Sequence, residues 1–90
     1  MPDYEVFVRV DPKRTVNDPQ GKSIEGGLHN LGFPEVSGLR AGKNMTYVVL
    51  DQANVHAARK RVDAHCRLLL ANGVMETYRF TVRRLPTQAR

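Results

Sequence analysis

Alternation of side chains near the start of the chain is the feature that most constrains its fold. Side chains of a β-strand point alternately to opposite faces, so a period of two over seven residues predicts a half-buried strand. The two faces carry Tyr4, Val6, Val8 and Val10 on one side, and Glu5, Phe7 and Arg9 on the other. Asp11-Pro12 ends the strand, because proline cannot donate to a sheet ladder. Such a strand needs neighbouring strands and a cover for its apolar face.

A helix is predicted to begin at Asp18-Pro19, after this strand. The Asp18 carboxylate can accept from the first free amides, and Pro19 suits the first helical position. An apolar stripe follows at helical spacing, and Gly32 ends the helix. The stripe consists of Ile24, Leu28 and Leu31, and the helix also contains Gly21, Gly26 and Gly27. Each internal glycine costs about 1 kcal/mol relative to alanine. So many glycines predict either a weak helix or a close approach of another backbone to it.

The rest of the chain predicts two further strands, a second helix and a last strand. The two strands cover residues 36–43 and 44–50, with a turn near 41–44, and the last strand covers 76–83. The second helix, from Asn54 to Asn72, has a core stripe and a stripe of small and apolar residues on nearly the opposite side. The core stripe is Val55, Ala58, Val62, Cys66 and Leu69, and the opposite stripe is Ala57, Ala64, Leu68 and Ala71. The opposite stripe is interpreted as a subunit contact.

The resulting order, β-α-β-β-α-β, predicts an α+β fold. We expect a ferredoxin-like antiparallel sheet with both helices on one face, in a single domain over residues 1–84. The tail, residues 85–90, has no pattern and is expected to fray. The other face of the sheet carries Phe7 and Val48 and has no element left to cover it. Self-association through that face, as a homodimer or homotetramer, is the expected solution.

Composition places the chain among small cytoplasmic proteins. Its 90 residues suffice for one domain, and no apolar run reaches the roughly 20 residues that cross a bilayer. The start of the chain does not resemble a signal peptide. Cys66 is the single cysteine, which fits a reducing compartment. The net charge of +5 is scattered, so we interpret it as a solvated surface and expect neither a membrane nor a nucleic-acid partner.

Residues with catalytic or ligand-binding chemistry do not form a recognisable motif. Cys66 lies on the predicted core face, where a thiol is inert. The histidines have no zinc-site spacing, and no glycine-rich phosphate-binding motif is present. We therefore predict no catalytic, cofactor-binding or metal-binding residue. Arg40 and Lys43, near the predicted turn, could hold an acidic group of a partner or an anion, or be ordinary edge-strand charges.

A series of short motifs resembles the PurS family over residues 4 to 83. The motifs are Asp18-Pro19-Gln20-Gly21, Leu28-x-x-Leu31-Gly32-Phe33, Val36, Arg40-x-Gly42-Lys43, Cys66, Leu69-Leu70-Ala71-Asn72 and Glu76-x-Tyr78-x-Phe80. The family usually has proline where this chain has Gly73. PurS is the small subunit of phosphoribosylformylglycinamidine synthase, a glutamine-dependent, ATP-consuming C–N ligase of purine biosynthesis.

The resemblance implies a non-catalytic role. In such synthases a large synthetase subunit uses ATP and Mg²⁺, and a glutaminase subunit releases ammonia. PurS bridges these two subunits, so that ammonia reaches formylglycinamide ribonucleotide, and it forms homodimers or homotetramers. The resemblance therefore implies no cofactor on this chain and no activity of the chain alone.

The helix start is predicted to dock on a partner subunit, because its glycines permit close backbone approach. The alternative is that this segment is simply a well-capped helix start. The candidates for the partner interface are Asp18, Pro19, Gln20, Gly21, Gly27, Arg40, Lys43 and Leu68. The candidates for self-association are Phe7, Val48, Ala57 and Ala64.

An RNA-binding module is the rival prediction from a different class. RNA-recognition domains share the β-α-β-β-α-β order and stack bases on aromatic residues of their central strands. Phe7 and Tyr47 could imitate that arrangement, but the segment 43–48 lacks the glycine and the paired aromatics of the signature. A small-molecule regulatory domain of similar topology is a third option without a ligand motif.

Overall fold

The computed structural model describes residues 1–86, which form one antiparallel sheet and two helices. The strands are β1 (Tyr4–Pro12), β2 (Lys43–Val49) and β3 (Glu76–Arg84), in the spatial order β2-β1-β3. The helices are α1 (Pro19–Asn30) and α2 (Val55–His65), and a π-helical turn, Cys66–Leu70, continues α2. The predicted α+β class, with an antiparallel sheet and two helices, is confirmed.

The core lies between α2 and one face of the sheet. In the centre of the sheet, Val6 pairs with Tyr47 of β2 and Val82 of β3. The buried set consists of Tyr4, Val6, Val8, Val10, Val49, Ala58, Val62, Cys66 and Ala71. The β-branched side chains suit a pleated surface covered on one side. Cys66 is fully buried and burial raises the pKa of its thiol, as expected for a packing residue.

The π-helical turn changes which residues of the second helix face the core. The Ala71 amide donates to the Cys66 carbonyl at 3.0 Å, a bond that spans five residues instead of four. The extra residue in this turn changes the direction of the side chains that follow Cys66, so Ala71 is buried and Leu69 is 83% exposed. The prediction of a uniform helix with Leu69 on its core stripe and Ala71 on the opposite stripe was wrong. Val55, at the exposed start of α2, also lies outside the core.

The predicted strand over residues 36–43 does not form. Its backbone groups bond to side chains of α1 and its cap: the Leu39 amide donates to Glu25 at 2.9 Å, and the Ala41 amide donates to Asp18 at 2.8 Å. Gly38 has a φ of 68°, which bends the segment away from extended backbone. Residues 36–42 therefore remain irregular, and Lys43 begins β2 instead of lying in a hairpin turn.

Helix α1 lies along this irregular segment, and α2 is the helix that packs on β1 and β3. The apolar stripe of α1 is consequently open, with Ile24 44% and Leu31 75% exposed. The prediction that both helices cover one face of the sheet was therefore wrong for α1. The expected fraying of the tail falls on 87–90, outside the described residues; within them, the Leu85 amide donates to the Asp3 carbonyl at 3.1 Å.

Candidate subunit interfaces

The start of α1 is held by one carboxylate. Asp18 caps the helix through a bond from the Gly21 amide at 3.1 Å, and its second oxygen accepts from the Ala41 amide at 2.8 Å. Pro19 occupies the first turn, as predicted. The bonds from Ala41 and Gly21 hold the pKa of the Asp18 carboxyl below its usual range, because both favour its charged form. Asp18 thus joins the helix start to the irregular segment.

Gly21 allows that junction to be close. A β-carbon at this position would lie 2.5 Å from Asp18 Oδ2 and 2.7 Å from the Leu39 carbonyl oxygen. The expected approach of another backbone therefore exists at Gly21, and the other backbone belongs to the same chain. At Gly27, in contrast, a β-carbon would meet nothing within 4 Å.

Arg40 ties the same segment to the loop after β1. Its guanidinium donates to the Lys13 carbonyl at 2.5 Å and to the Val16 carbonyl at 2.8 Å. We call the residues that hold α1 in place the α1 clasp: Asp18, Gly21, Glu25, Leu39, Arg40 and Ala41. Lys43 lies 3.5 Å from Glu76 in an exposed ion pair. All of these contacts are within the chain. Contacts with partner subunits stay predictions for Asp18, Gly21, Arg40 and Lys43.

The clasp should make stability depend on pH through Asp18. Because its native pKa is lowered, the charged carboxylate contributes stability above the unfolded-state pKa of about 3.9, and this contribution is lost as pH falls through the native pKa. We expect Asp18→Asn to lower the thermal midpoint at neutral pH. The difference in midpoint between this variant and the unsubstituted chain should shrink as the buffer is acidified below about pH 4. Thermal melts by circular dichroism over a pH series measure this. A difference in thermal midpoint that stays constant across the pH series would contradict a stabilising role of the Asp18 charge.

One exposed surface is the outer stripe of α1. At about 100° per residue, its four members fall within an arc of roughly 60°. We call Gln20, Ile24, Gly27 and Leu31 the α1 outer stripe; of these, Gln20 and Gly27 are predicted partner-interface residues. All four are exposed, and Phe33 beyond the helix end is 47% exposed. The clasp leaves this stripe free because it holds the helix through Gly21 and Glu25, on a different side.

A second surface is an apolar groove beside the π-helical turn. It has a volume of about 430 Å³ and is lined by Tyr47, Arg61, Ala64, His65, Leu68, Leu69 and Leu70. Leu68 is 81% exposed, and Tyr47 and His65 bond to each other at 2.9 Å between Oη and Nδ1. The sequence predicted Leu68 as an interface residue but missed the π-helical turn. The sequence does contain one sign of an irregularity there: Leu68, Leu69 and Leu70 are consecutive, and three consecutive side chains of one helix cannot all face a core.

A third surface is the outer face of the sheet. Phe7 lies between Thr46 and Thr81 in register, and it is 39% exposed. Val48 lies on the same face, next to Glu5, as the alternation predicted. Within residues 1–86 no helix packs on this face. The participation of Phe7, Val48, Ala57 and Ala64 in self-association stays a prediction.

The aromatic arrangement of an RNA-recognition domain is not formed. Tyr47 pairs with Val6 on the core side, where its hydroxyl bonds to His65, whereas Phe7 faces the opposite side. The two rings therefore cannot present a common stacking platform.

The described residues contain no group of three or more His, Cys, Asp or Glu side chains that could hold a metal ion. In residues 1–86, no helix has both the length and the apolar character needed to span a bilayer.

Comparison with known proteins gives consistent matches over nearly the whole chain. A family profile described as "PurS: Phosphoribosylformylglycinamidine (FGAM) synthase" matches residues 5–84. The chain is 35% identical to phosphoribosylformylglycinamidine synthase subunit PurS of Bacillus subtilis over 85 residues, covering 94% of this chain and 99% of that protein. It is 34% identical to the Synechocystis subunit of the same name, covering 88% of this chain and 78% of that protein.

Solved structures show the same similarity. The Bacillus subtilis PurS structure aligns with a TM-score of 0.80 at 36% identity, covering 89% of this chain and 98% of that one. A chain of the PurLQS structure from Thermotoga maritima aligns with a TM-score of 0.76 at 33% identity, covering 94% of this chain and all of that one.

Proposed function

The chain belongs to the PurS family of phosphoribosylformylglycinamidine synthase subunits, and from this we propose that it is a non-catalytic bridge between the synthetase and glutaminase subunits. The observation that carries the proposal is the alignment of almost its whole length with a chain of PurLQS. Its place of action is then the cytoplasm, in purine biosynthesis. ATP and Mg²⁺ are bound by the synthetase subunit, and this chain binds no cofactor.

A bridging subunit has a physical purpose in such a reaction. Ammonia released from glutamine must reach formylglycinamide ribonucleotide before it escapes or is protonated. Holding two active sites in fixed register replaces a diffusive encounter by a positioned one, which lowers the entropic part of the barrier. A small rigid adaptor can supply that register without contributing a reacting group.

The exposed surfaces suggest how the bridge is built. The α1 outer stripe exposes the apolar side chains of Ile24 and Leu31, and leucines line the groove beside the π-helical turn. The two surfaces lie on different elements, so they can serve two different subunits. The α1 clasp fixes the helix that carries the first surface. Self-association through the sheet completes the assembly, since a chain of 90 residues buries a limited core alone.

Reconstitution tests the proposal. The purified synthetase and glutaminase subunits are assayed with formylglycinamide ribonucleotide, ATP and Mg²⁺, with and without this chain. Glutamine-dependent activity should require the chain, whereas activity with added ammonium salt should persist without it, because the synthetase site is intact. Full glutamine-dependent activity in the absence of the chain would contradict a bridging role.

A further inference from the structure

Helix α2 covers the core side of the sheet unevenly. The core-side valines of β1 are buried beneath it. Over β3, the guanidinium of Arg59 from α2 lies 4.9 Å from the centre of the Phe80 ring. Over β2, in contrast, Met45 and Tyr47 are only half-buried, although they pair with the core residues Val8 and Val6 and point to the same side of the sheet. The apolar layer on the core side is therefore incomplete over β2.

The groove beside the π-helical turn lies at this gap between α2 and β2. Its lining includes Tyr47 of β2 together with Arg61, Ala64, His65 and Leu68. These four are spaced i, i+3, i+4 and i+7, which is one face of a helix over about 10 Å. The bond between Tyr47 Oη and His65 Nδ1, at 2.9 Å, joins β2 to the end of α2, so the groove is preformed. A groove of this kind fits a second helix, whose side chains at the same spacing enter it.

Arg61 gives this groove an unbalanced positive charge. Within residues 1–86 its guanidinium takes part in no hydrogen bond, ion pair or ring contact, and no carboxylate lines the groove. The acidic residue of α2, Asp63, already accepts from Tyr78 at 2.6 Å and from Arg67 at 2.9 Å. A partner that covers the groove takes Arg61 out of water, and a buried charge without a counter-charge is costly. The partner must therefore bring a carboxylate to this position.

A second copy of this chain lacks the required charge. The exposed apolar helix surface that a copy could offer is the α1 outer stripe. In α1 the Glu25 carboxylate already accepts from the Leu39 amide at 2.9 Å, and the exposed Lys22 would add a cation. The net charge of +5 also makes two copies repel each other. Charge therefore favours a different, acidic chain as the occupant of the groove.

We propose that the groove beside the π-helical turn receives a helix of a partner subunit, whose contacting face is apolar and carries an aspartate or glutamate opposite Arg61. The apolar side chains of that helix complete the layer over β2, and its carboxylate neutralises Arg61. The inference rests on the proposed function, because the partner is the synthetase or the glutaminase subunit. It adds the chemistry of the segment that binds.

A charge reversal tests the acidic contact. In Arg61→Glu two carboxylates meet in the groove, so the Kd for the partner subunit should rise at least about tenfold. Lys60→Glu is the matched control, because Lys60 is exposed, lies about 100° around the helix axis from Arg61 and does not line the groove. This control changes the net charge equally and should leave the Kd within about threefold. Calorimetric titrations with the purified synthetase subunit and the purified glutaminase subunit give both values.

The same titrations distinguish failure of this inference from failure of the proposed function. Both variants should keep the thermal midpoint of the unsubstituted chain, since both side chains are exposed. Equal weakening by the two variants would overturn the inference, because it would reflect overall charge, and so would unchanged binding by Arg61→Glu. In both cases the unsubstituted chain still binds and the bridging role stands. Failure of the unsubstituted chain to bind either subunit would overturn both.

Photocrosslinking identifies the occupant directly. Leu69 is 83% exposed and lines the groove, so p-benzoylphenylalanine in its place should link to the bound segment when the chain is irradiated with both subunits. Mass spectrometry should find apolar residues at helical spacing and an aspartate or glutamate on the same face of that segment. The same photoreactive residue in place of Val74, which is 80% exposed outside the groove, is the control and should not link to it. A link to α1 of a second copy, a linked segment without a carboxylate, or no link while the chain binds would overturn the inference.

Discussion

Gly21→Ala is expected to destabilise this chain, although alanine normally stabilises a helix interior. Replacing glycine inside a helix usually gains about 1 kcal/mol. At Gly21 the new methyl group would lie 2.5 Å from Asp18 Oδ2 and 2.7 Å from the Leu39 carbonyl oxygen. The cap bond and the contact with the irregular segment cannot both survive. We expect a net loss of about 1–3 kcal/mol in the free energy of unfolding, the usual cost of overpacking.

Gly27→Ala is the matched control, because it makes the same change in the same helix. No atom lies within 4 Å of the added β-carbon, so only the helical preference acts. This variant should gain up to about 1 kcal/mol. Urea unfolding followed by circular dichroism measures both variants. If both variants were stabilised, the α1 clasp would not be what requires glycine at position 21.

Leu68→Glu should weaken subunit assembly strongly while leaving the fold intact. Leu68 is 81% exposed, so its replacement should change the free energy of unfolding by less than about 0.5 kcal/mol. In the assembled complex a carboxylate would have to enter the apolar groove beside the π-helical turn without a partner for its charge. Burying an unpaired charge in an apolar interface costs about 2 kcal/mol or more, so affinity should fall at least about thirtyfold.

Val74→Glu is the control for this variant. Val74 is 80% exposed, is apolar, and lies in the turn before β3, outside the groove. Its substitution introduces the same charge at similar exposure and should leave affinity nearly unchanged. Titration of the synthetase and glutaminase subunits with each variant by calorimetry provides the comparison. Equal affinity of Leu68→Glu and the unsubstituted chain would remove the groove from the interface.

Strands β1 and β3 and the start of α1 could be predicted because their signals are local. Alternating residues need only a neighbouring strand to be buried on one side, and the Asp18-Pro19 pair satisfies the helix start by itself. The same local logic placed Phe7 and Val48 on the open face and Cys66 in the core. It also placed Leu68 on the far side of the second helix, where the side chain is exposed, while its part in an interface stays a prediction.

The errors come from features whose partners are distant in sequence. Residues 36–42 have an acceptable strand pattern, but the Leu39 amide bonds to Glu25 and the Ala41 amide bonds to Asp18, which lie 14 and 23 residues earlier in the chain. Leu69 was assigned to the core on uniform helical spacing, and the π-helical turn moved it to the surface. Periodicity cannot reveal either event, because it assumes regular hydrogen bonding within each element.

The sequence by itself determined the class of the fold, the first strand, the capped start of α1 and the family, since these depend on short-range patterns and on ordered motifs. The tertiary structure decided where α1 lies, what Asp18 and Gly21 contact, and which leucines are exposed. Those outcomes depend on competition between backbone groups far apart in the chain. An amide bonds to whichever acceptor the folded chain brings within about 3 Å, and no local pattern specifies that acceptor.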